Sequence, residues 1–152
     1  YRAADWDRVR EVLAGWGAAA DPPREDTDHY FNAPDRDFAK TDEAVRLRRI
    51  GADNYFTYKG PKTDVGTKTR PEIELPLASG SAVSADAVRW LTAVGFRPVA
   101  VVSKSRQVYR VRRDGFDVEV CLDDVGAIGR YVEVEIRATE ADFPAAREVL
   151  LT

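Results

Sequence analysis

Apolar residues recur every three or four positions in three segments of the chain, which predicts three helices. The first covers about residues 6–16, and Asp5 can cap its N-terminus. The second follows Ser84 and ends at Gly95, since glycine commonly terminates helices. The third begins after Thr139 and runs to the end of the chain. Each apolar stripe needs a surface to cover.

Between these helices the period of the apolar positions falls to two, which is typical of strands. The predicted strands cover about residues 27–32, 44–50, 54–59, 70–76, 99–112, 115–122 and 130–138. Asp114-Gly115 predicts a tight hairpin turn between two of them. The order is helix, strands, helix, strands, helix. This order predicts an α+β fold dominated by antiparallel sheet.

Within the strands, charged residues alternate with apolar ones and form six like-charged pairs. These pairs are Arg46 and Arg48, Glu72 and Glu74, Lys104 and Arg106, Arg110 and Arg112, Asp117 and Glu119, and Glu133 and Glu135. The spacing places both charges of a pair on one face of a strand, about 6.5 to 7 Å apart. The opposite, apolar face is the one that helices would cover. It carries Val45, Leu47, Phe56, Tyr58, Ile73, Leu75, Val118, Val120, Val132, Val134 and Ile136.

Two interpretations of the charged face are open on periodicity alone. It is either the solvated side of an antiparallel sheet or the lining of a closed sheet. The residue types favour a lining, because arginine and glutamate dominate where a solvated face usually mixes several polar types. Carboxylate pairs suit a hard divalent cation such as Mg²⁺ or Mn²⁺. Arginine and lysine pairs suit phosphate oxygens, so the pattern predicts a phosphate substrate with its metal.

Composition limits the class of protein. The 152 residues are 44% hydrophobic and 32% charged, which predicts one globular domain over residues 1–152. The net charge of −3 argues against nucleic acid as the partner. The sequence holds no run of about 18 apolar residues, which argues against a membrane partner. The single cysteine, Cys121, excludes an intramolecular disulfide, favours a structural role and fits a cytoplasmic location.

Six short motifs occur in an order that resembles the CYTH domains, the triphosphate tunnel metalloenzymes. They are EAVRLRR at 43–49, TYKGPK at 57–62, RPEIE at 70–74, KSR at 104–106, LDDV at 122–125 and GRYVEVE at 129–135. The resemblance spans about residues 28 to 136. This family includes class IV adenylate cyclases, thiamine triphosphatases and inorganic triphosphatases.

The resemblance implies an eight-stranded antiparallel β-barrel with helices packed outside. Its charged lumen would bind a triphosphate together with Mg²⁺ or Mn²⁺. The residues that the resemblance assigns to the phosphates are Arg46, Arg48, Lys59, Lys104 and Arg106. Those assigned to the metal are Asp123, Glu133 and Glu135, with Glu72 and Glu74 as secondary candidates. Arg110 and Arg112 are left outside the site.

The Lys-Gly-Pro-Lys stretch followed by Arg-X-Glu-Ile-Glu is most similar to the class IV adenylate cyclases. This similarity implies an enzyme that converts ATP to cyclic AMP and pyrophosphate. One alternative is a triphosphatase that hydrolyses tripolyphosphate or thiamine triphosphate. A second is a non-catalytic module that binds triphosphate or polyphosphate. The sequence leaves the oligomeric state open, a homodimer included.

The chain departs from the family pattern in two places. The signature Glu-X-Glu-X-Lys of the first strand is absent, and Tyr1-Arg2-Ala3 resembles the continuation of that strand. The sequence contains no methionine, so we expect the first strand to be truncated here. Without the signature, two carboxylates for metal and one lysine for phosphate would be missing. The second departure is Ala127, where the family usually has glycine.

Overall fold

The computed structural model describes residues 5–64 and 66–151, which contain eight strands, four α-helices and a short 3₁₀-helix at Gly126–Ile128. The helices are α1 (Trp6–Gly15), α2 (Phe38–Thr41), α3 (Ser81–Ala93) and α4 (Phe143–Leu151). The strands are β1 (Ala19–Ala20), β2 (Arg24–Asn32), β3 (Ala44–Ile50), β4 (Asp53–Lys59), β5 (Glu72–Leu77), β6 (Arg97–Arg113), β7 (Phe116–Asp124) and β8 (Arg130–Ile136). The pairs β1·β6, β2·β3, β3·β4, β4·β5, β6·β7 and β7·β8 are antiparallel, and the predicted α+β class is confirmed. The proposed remnant of a truncated first strand, residues 1–3, lies outside the described residues.

Several elements differ from the prediction in extent. β2 begins three residues early, at Arg24, and α3 begins at Ser81 instead of after Ser84. No side chain caps α3, whose N-cap is Gly80, so the sequence gives no signal for its start. The elements β1 and α2 were not predicted, because two and four residues are too short to show a period.

Residues 25–103 form one compact unit. Its antiparallel strands follow the order β5-β4-β3-β2, and α3 covers one face of them. Leu91 of α3 packs in a buried cluster with Phe31 of β2 and Leu47 of β3. The predicted apolar face is therefore covered at its centre, and Arg46 and Arg48 of β3 lie on the other face.

The apolar face of β5 departs from that prediction, as does Val134 of β8, which is 39% exposed. Ile73 and Leu75 were assigned to the face that a helix covers, but they are 56% and 55% exposed. The helix α3 packs over β2 and β3, where Phe31 and Leu47 lie, and β5 is two strands further along the sheet. The alternation of apolar and charged residues therefore predicted correctly which face Ile73 and Leu75 lie on, but it predicted wrongly that this face is buried at β5.

The described residues of the second unit are 5–24 and 104–151. Its strand order is β1-β6-β7-β8, and Leu13 of α1 packs in a buried cluster with Val118 and Val120 of β7. The predicted turn at Asp114-Gly115 joins β6 to β7, and both residues have positive φ, 48° and 86°. A tight hairpin turn of this kind needs that backbone conformation, which explains why this dipeptide occurs there.

The described helices are all too short or too polar to cross a lipid bilayer. The two units are each compact, and the organisation of the whole chain as one domain over residues 1–152 stays a prediction.

Candidate functional site

Four of the predicted phosphate-binding residues are buried charges. Arg46 and Arg48 lie on β3, and Lys104 and Arg106 lie on β6. Each is at most 9% exposed. A solvated face is therefore the wrong interpretation for these positions. A buried charge is tolerated only where other groups pair with it, so the partners of these side chains define what the face can do.

In residues 25–103, two aspartates and two arginines form the arginine cluster, which consists of Asp26, Asp28, Arg46 and Arg48. Arg48 donates from Nε to Oδ1 of Asp28 and from Nη2 to Oδ2, both at 2.7 Å. Its Nη1 also lies 3.6 Å from a carboxylate oxygen of Asp26. This bidentate arrangement is a strong form of charged hydrogen bond. It fixes the guanidinium of Arg48 in place.

Arg46 is held much more loosely than Arg48. Its Nη1 donates one long hydrogen bond of 3.4 Å to Oδ2 of Asp28. Its Nε is buried and has no hydrogen-bond partner. A guanidinium carries five N–H donors, so Arg46 retains donors that a bound anion could use.

Asp26 and Asp28 are site residues that the sequence prediction missed. Both are buried, and both lie on β2, which pairs with β3 so that Asp28 is directly opposite Arg48. The signal was present, because these aspartates have the same every-second-residue spacing as the six pairs identified. The predicted strand began at residue 27, so Asp26 fell outside it and the pair was not recognised.

Lys59, the third predicted phosphate ligand of this unit, lies on β4 and is only half-buried. Its Nζ donates to Oε1 of Glu72 at 2.7 Å, across the register pair that joins β4 to β5. Glu74 lies on the same face of β5, opposite Thr57, and is exposed. Glu72 therefore acts as the ion-pair partner of Lys59 in this structure. Partly exposed pairs of this kind contribute little to stability.

In the other unit, Lys104, Arg106, Asp123 and Glu133 form the lysine–arginine cluster. Lys104 donates to Oδ2 of Asp123 at 2.7 Å. Arg106 donates to both oxygens of Asp123 at 2.6 Å, and its Nη2 also bonds to Glu133. Asp123 is almost fully buried. It is therefore the shared counter-ion of two buried cations.

The pKa directions follow from this geometry. Burial disfavours the charged form of Asp123, but the hydrogen bonds from Arg106 and Lys104 outweigh it and lower the pKa of Asp123. Burial likewise opposes the charge on Arg106, yet Asp123 and Glu133 raise the pKa of Arg106. Asp123 and Arg106 are therefore both ionised at neutral pH. Burial raises the pKa of the neighbouring Cys121 thiol to about 12, which fits the structural role expected of it.

The described residues contain no group of three acidic, histidine or cysteine side chains arranged to hold a metal ion. Both oxygens of Asp123 already accept hydrogen bonds from cations. Glu133 and Glu135 are exposed on β8. Mg²⁺ commonly binds one or two carboxylates and takes its remaining ligands from substrate phosphates and water. The exposed pair on β8 fits that mode, and the role of the five acidic residues as metal ligands stays a prediction.

The start of β3, which carries both arginines of the cluster, is fixed by Glu43. Arg36 donates from Nε and Nη2 to the two carboxylate oxygens of Glu43 at 2.9 and 2.8 Å. The hydroxyl of Tyr58 on β4 donates to the same carboxylate at 2.8 Å. The hydrogen bonds from Arg36 are the main cause that lowers the pKa of Glu43 to about 2. The link ties β3 to β4 over a wide range of pH.

The chain is similar to known proteins along nearly its whole length. The family model described as CYTH domain matches residues 1–150. A Methanocaldococcus jannaschii protein named "Putative adenylate cyclase MJ0240" is 35% identical over 131 residues, which is 86% of this chain and 70% of the relative.

Two solved structures have a similar fold. PH1819 from Pyrococcus horikoshii is 32% identical, with a TM-score of 0.82, over 98% of this chain and 82% of the other. The Hippeastrum protein HpAC1, described as a candidate adenylyl cyclase with a dominant triphosphatase activity, is 18% identical. Its TM-score is 0.64, over 95% of this chain and 77% of the other. At that identity the second match concerns the fold alone.

Proposed function

Because the chain belongs to the CYTH domain family, we propose that it is a metal-dependent enzyme that acts on a triphosphate compound. The observation that carries the proposal is the burial of basic side chains in each unit, above all Arg46 with its unpartnered Nε. Burying such a donor is costly unless an acceptor arrives. A phosphate oxygen is an acceptor of the required charge.

Within this function we propose an adenylate cyclase of class IV that converts ATP to cyclic AMP and pyrophosphate. The support is the similarity to the Methanocaldococcus jannaschii relative and its name. In the reaction, the ribose 3'-hydroxyl attacks the α-phosphorus and pyrophosphate leaves. The residues proposed to stabilise the charge on the phosphate oxygens are Arg46, Arg48, Lys59, Lys104 and Arg106.

The proposed cofactor is Mg²⁺ or Mn²⁺, held by Glu133 and Glu135 with Asp123, and with Glu72 and Glu74 as secondary candidates. A divalent cation held there would lower the pKa of the attacking hydroxyl and would neutralise charge on the phosphates. The other contributions to catalysis come from side chains of the protein. Its buried guanidinium groups orient the triphosphate and exclude water from the phosphates they contact.

Hydrolysis is the main competing outcome, since the same basic residues could orient a water molecule at the terminal phosphorus. The HpAC1 protein shares the fold and is described with a dominant triphosphatase activity. The non-catalytic binder is the third outcome. The three differ in their products, so one assay separates them.

The assay incubates the chain with ATP, tripolyphosphate or thiamine triphosphate in Mg²⁺ or Mn²⁺ and identifies products by phosphorus NMR and chromatography. We expect cyclic AMP and pyrophosphate from ATP. Orthophosphate as the dominant product would overturn the cyclase assignment in favour of a hydrolase. Binding without any product would overturn the enzyme assignment and leave the binding module.

A cytoplasmic location also belongs to this proposal, because ATP is abundant there. A homodimer stays a prediction.

A further inference from the structure

Two buried polar groups lie side by side on the charged face of residues 25–103 without hydrogen-bond partners. They are Nε of Arg46 on β3 and Oγ1 of Thr57 on β4. Thr57 is 1% exposed. The two residues are directly opposite in the register of β3 and β4, so their side chains project from the same face and are close neighbours. Sequence reasoning assigned no role to Thr57.

Most buried polar groups in proteins are paired, so two adjacent exceptions need a cause. The other unpartnered side-chain atoms in the described residues differ from these two. The side chain of Asn54 is partly paired. Its amide nitrogen donates to the carbonyls of Ala78 and Gly80 at 3.0 Å, and only its Oδ1 has no partner. Trp6 lies in the other unit. Only Arg46 and Thr57 are opposite each other across two paired strands.

The neighbours do not satisfy either donor. Both carboxylate oxygens of Asp28 accept hydrogen bonds from Arg48. Asp28 accepts a hydrogen bond from Nη1 of Arg46, and not from its Nε. Glu74 is opposite Thr57 on β5, yet it does not accept a hydrogen bond from the Thr57 hydroxyl. Two hydrogen-bond donors are therefore unused here, the charged Nε–H of Arg46 and the neutral hydroxyl of Thr57. Their complement is an anionic oxygen.

We propose that Thr57 is a further ligand-contacting residue, whose hydroxyl and the Nε–H of Arg46 together bind one phosphoryl oxygen. This inference rests on the proposed function, since it assigns a contact to the same triphosphate ligand. Asp28 is a positioning residue in this arrangement, because it holds Arg48 in a fixed orientation and leaves Arg46 available.

The test compares Thr57→Val, Thr57→Ser and Thr27→Val with the wild-type chain. Valine has nearly the shape of threonine but lacks the hydroxyl, whereas serine keeps it. Thr27 is the matched control, because its hydroxyl is hydrogen-bonded to Ser103 at 3.3 Å and its side chain projects from the opposite face of the sheet. Calorimetric titration with magnesium tripolyphosphate measures affinity, and thermal unfolding without ligand measures stability.

We expect Thr57→Val to weaken binding of tripolyphosphate about tenfold, as the loss of a hydrogen bond to a charged group implies. Without ligand, its melting temperature should equal or exceed that of the wild type, because an unpartnered buried hydroxyl is removed. Thr57→Ser should bind nearly as tightly as the wild type. Thr27→Val should leave affinity unchanged.

Equal affinities for Thr57→Val and the wild type would overturn this inference alone and leave the proposed function standing. A melting temperature several degrees lower for Thr57→Val would also overturn it, because the hydroxyl would then have a structural partner. Failure of the wild-type chain to bind tripolyphosphate would overturn the proposed function and this inference together.

Discussion

Replacing Asp123 by asparagine is expected to lower the free energy of unfolding by about 3 to 5 kcal/mol, the range found when one partner of a buried ion pair is removed. The substitution keeps the shape of the side chain and removes its charge. Lys104 and Arg106 would then be buried cations without their shared counter-ion. Urea denaturation at neutral pH measures the loss.

The pH dependence of this difference provides an independent check. Because the pKa of Asp123 is lowered in the folded state, its contribution is fully present above the ordinary aspartate pKa of about 3.9. The contribution is lost as the pH falls from there toward the lowered pKa of the folded state. The difference between wild type and Asp123→Asn should therefore shrink on acidification below about pH 4.

Asp117→Asn is the matched control, because Asp117 pairs with Arg112 at 2.8 Å on the exposed part of the same hairpin. Both side chains of that pair are exposed, so its loss should cost less than about 1 kcal/mol. Equal destabilisation by the two substitutions would contradict the account of Asp123, as would a difference that does not change with pH.

The second large effect concerns the two arginines of β3. Both are proposed phosphate ligands, but their roles should divide, since Arg48 also stabilises the fold through its bidentate bond to Asp28. Arg46→Ala is expected to weaken binding of magnesium tripolyphosphate about 10- to 100-fold. Its effect on stability should be small, since Arg46 makes one hydrogen bond of 3.4 Å. Arg48→Ala removes the bidentate partner of buried Asp28 and should lower the free energy of unfolding by about 3 kcal/mol or more.

Calorimetry and urea denaturation on the same preparations measure both quantities. Arg112→Ala is the control for the loss of one positive charge, because Arg112 is exposed and lies outside both clusters. It should change neither quantity much. Unchanged affinity in Arg46→Ala, or a loss of stability in Arg46→Ala as large as in Arg48→Ala, would contradict the division of roles.

Much of the fold could be predicted because period two and period 3.6 are local properties of the sequence. The strand at 44–50 was predicted with the bounds that the structure has. The Asp114-Gly115 turn was identified from two residues, since only a few residue types tolerate positive φ. The start of α3 was predicted wrongly because no side chain caps this helix.

The site could be predicted less completely. Alternation of charged and apolar residues shows which side chains lie on one face of a strand, but it does not show whether that face is buried. Arg46 and Arg48 have the same spacing as Arg110 and Arg112, yet the first pair is buried and the second exposed. The difference depends on partners distant in sequence, such as Asp28, which lies 20 residues before Arg48. The unpartnered hydroxyl of Thr57 is likewise a property of packing, and no sequence pattern distinguishes it from other strand threonines.

We propose above all that this chain binds a triphosphate through its buried basic side chains. Calorimetric titration of the wild-type chain with tripolyphosphate in Mg²⁺, with orthophosphate as the comparison ligand, tests it most directly. We expect saturable binding of one tripolyphosphate per chain, much tighter than the binding of orthophosphate. Absence of saturable binding, or equal affinity for the two ligands, would contradict it.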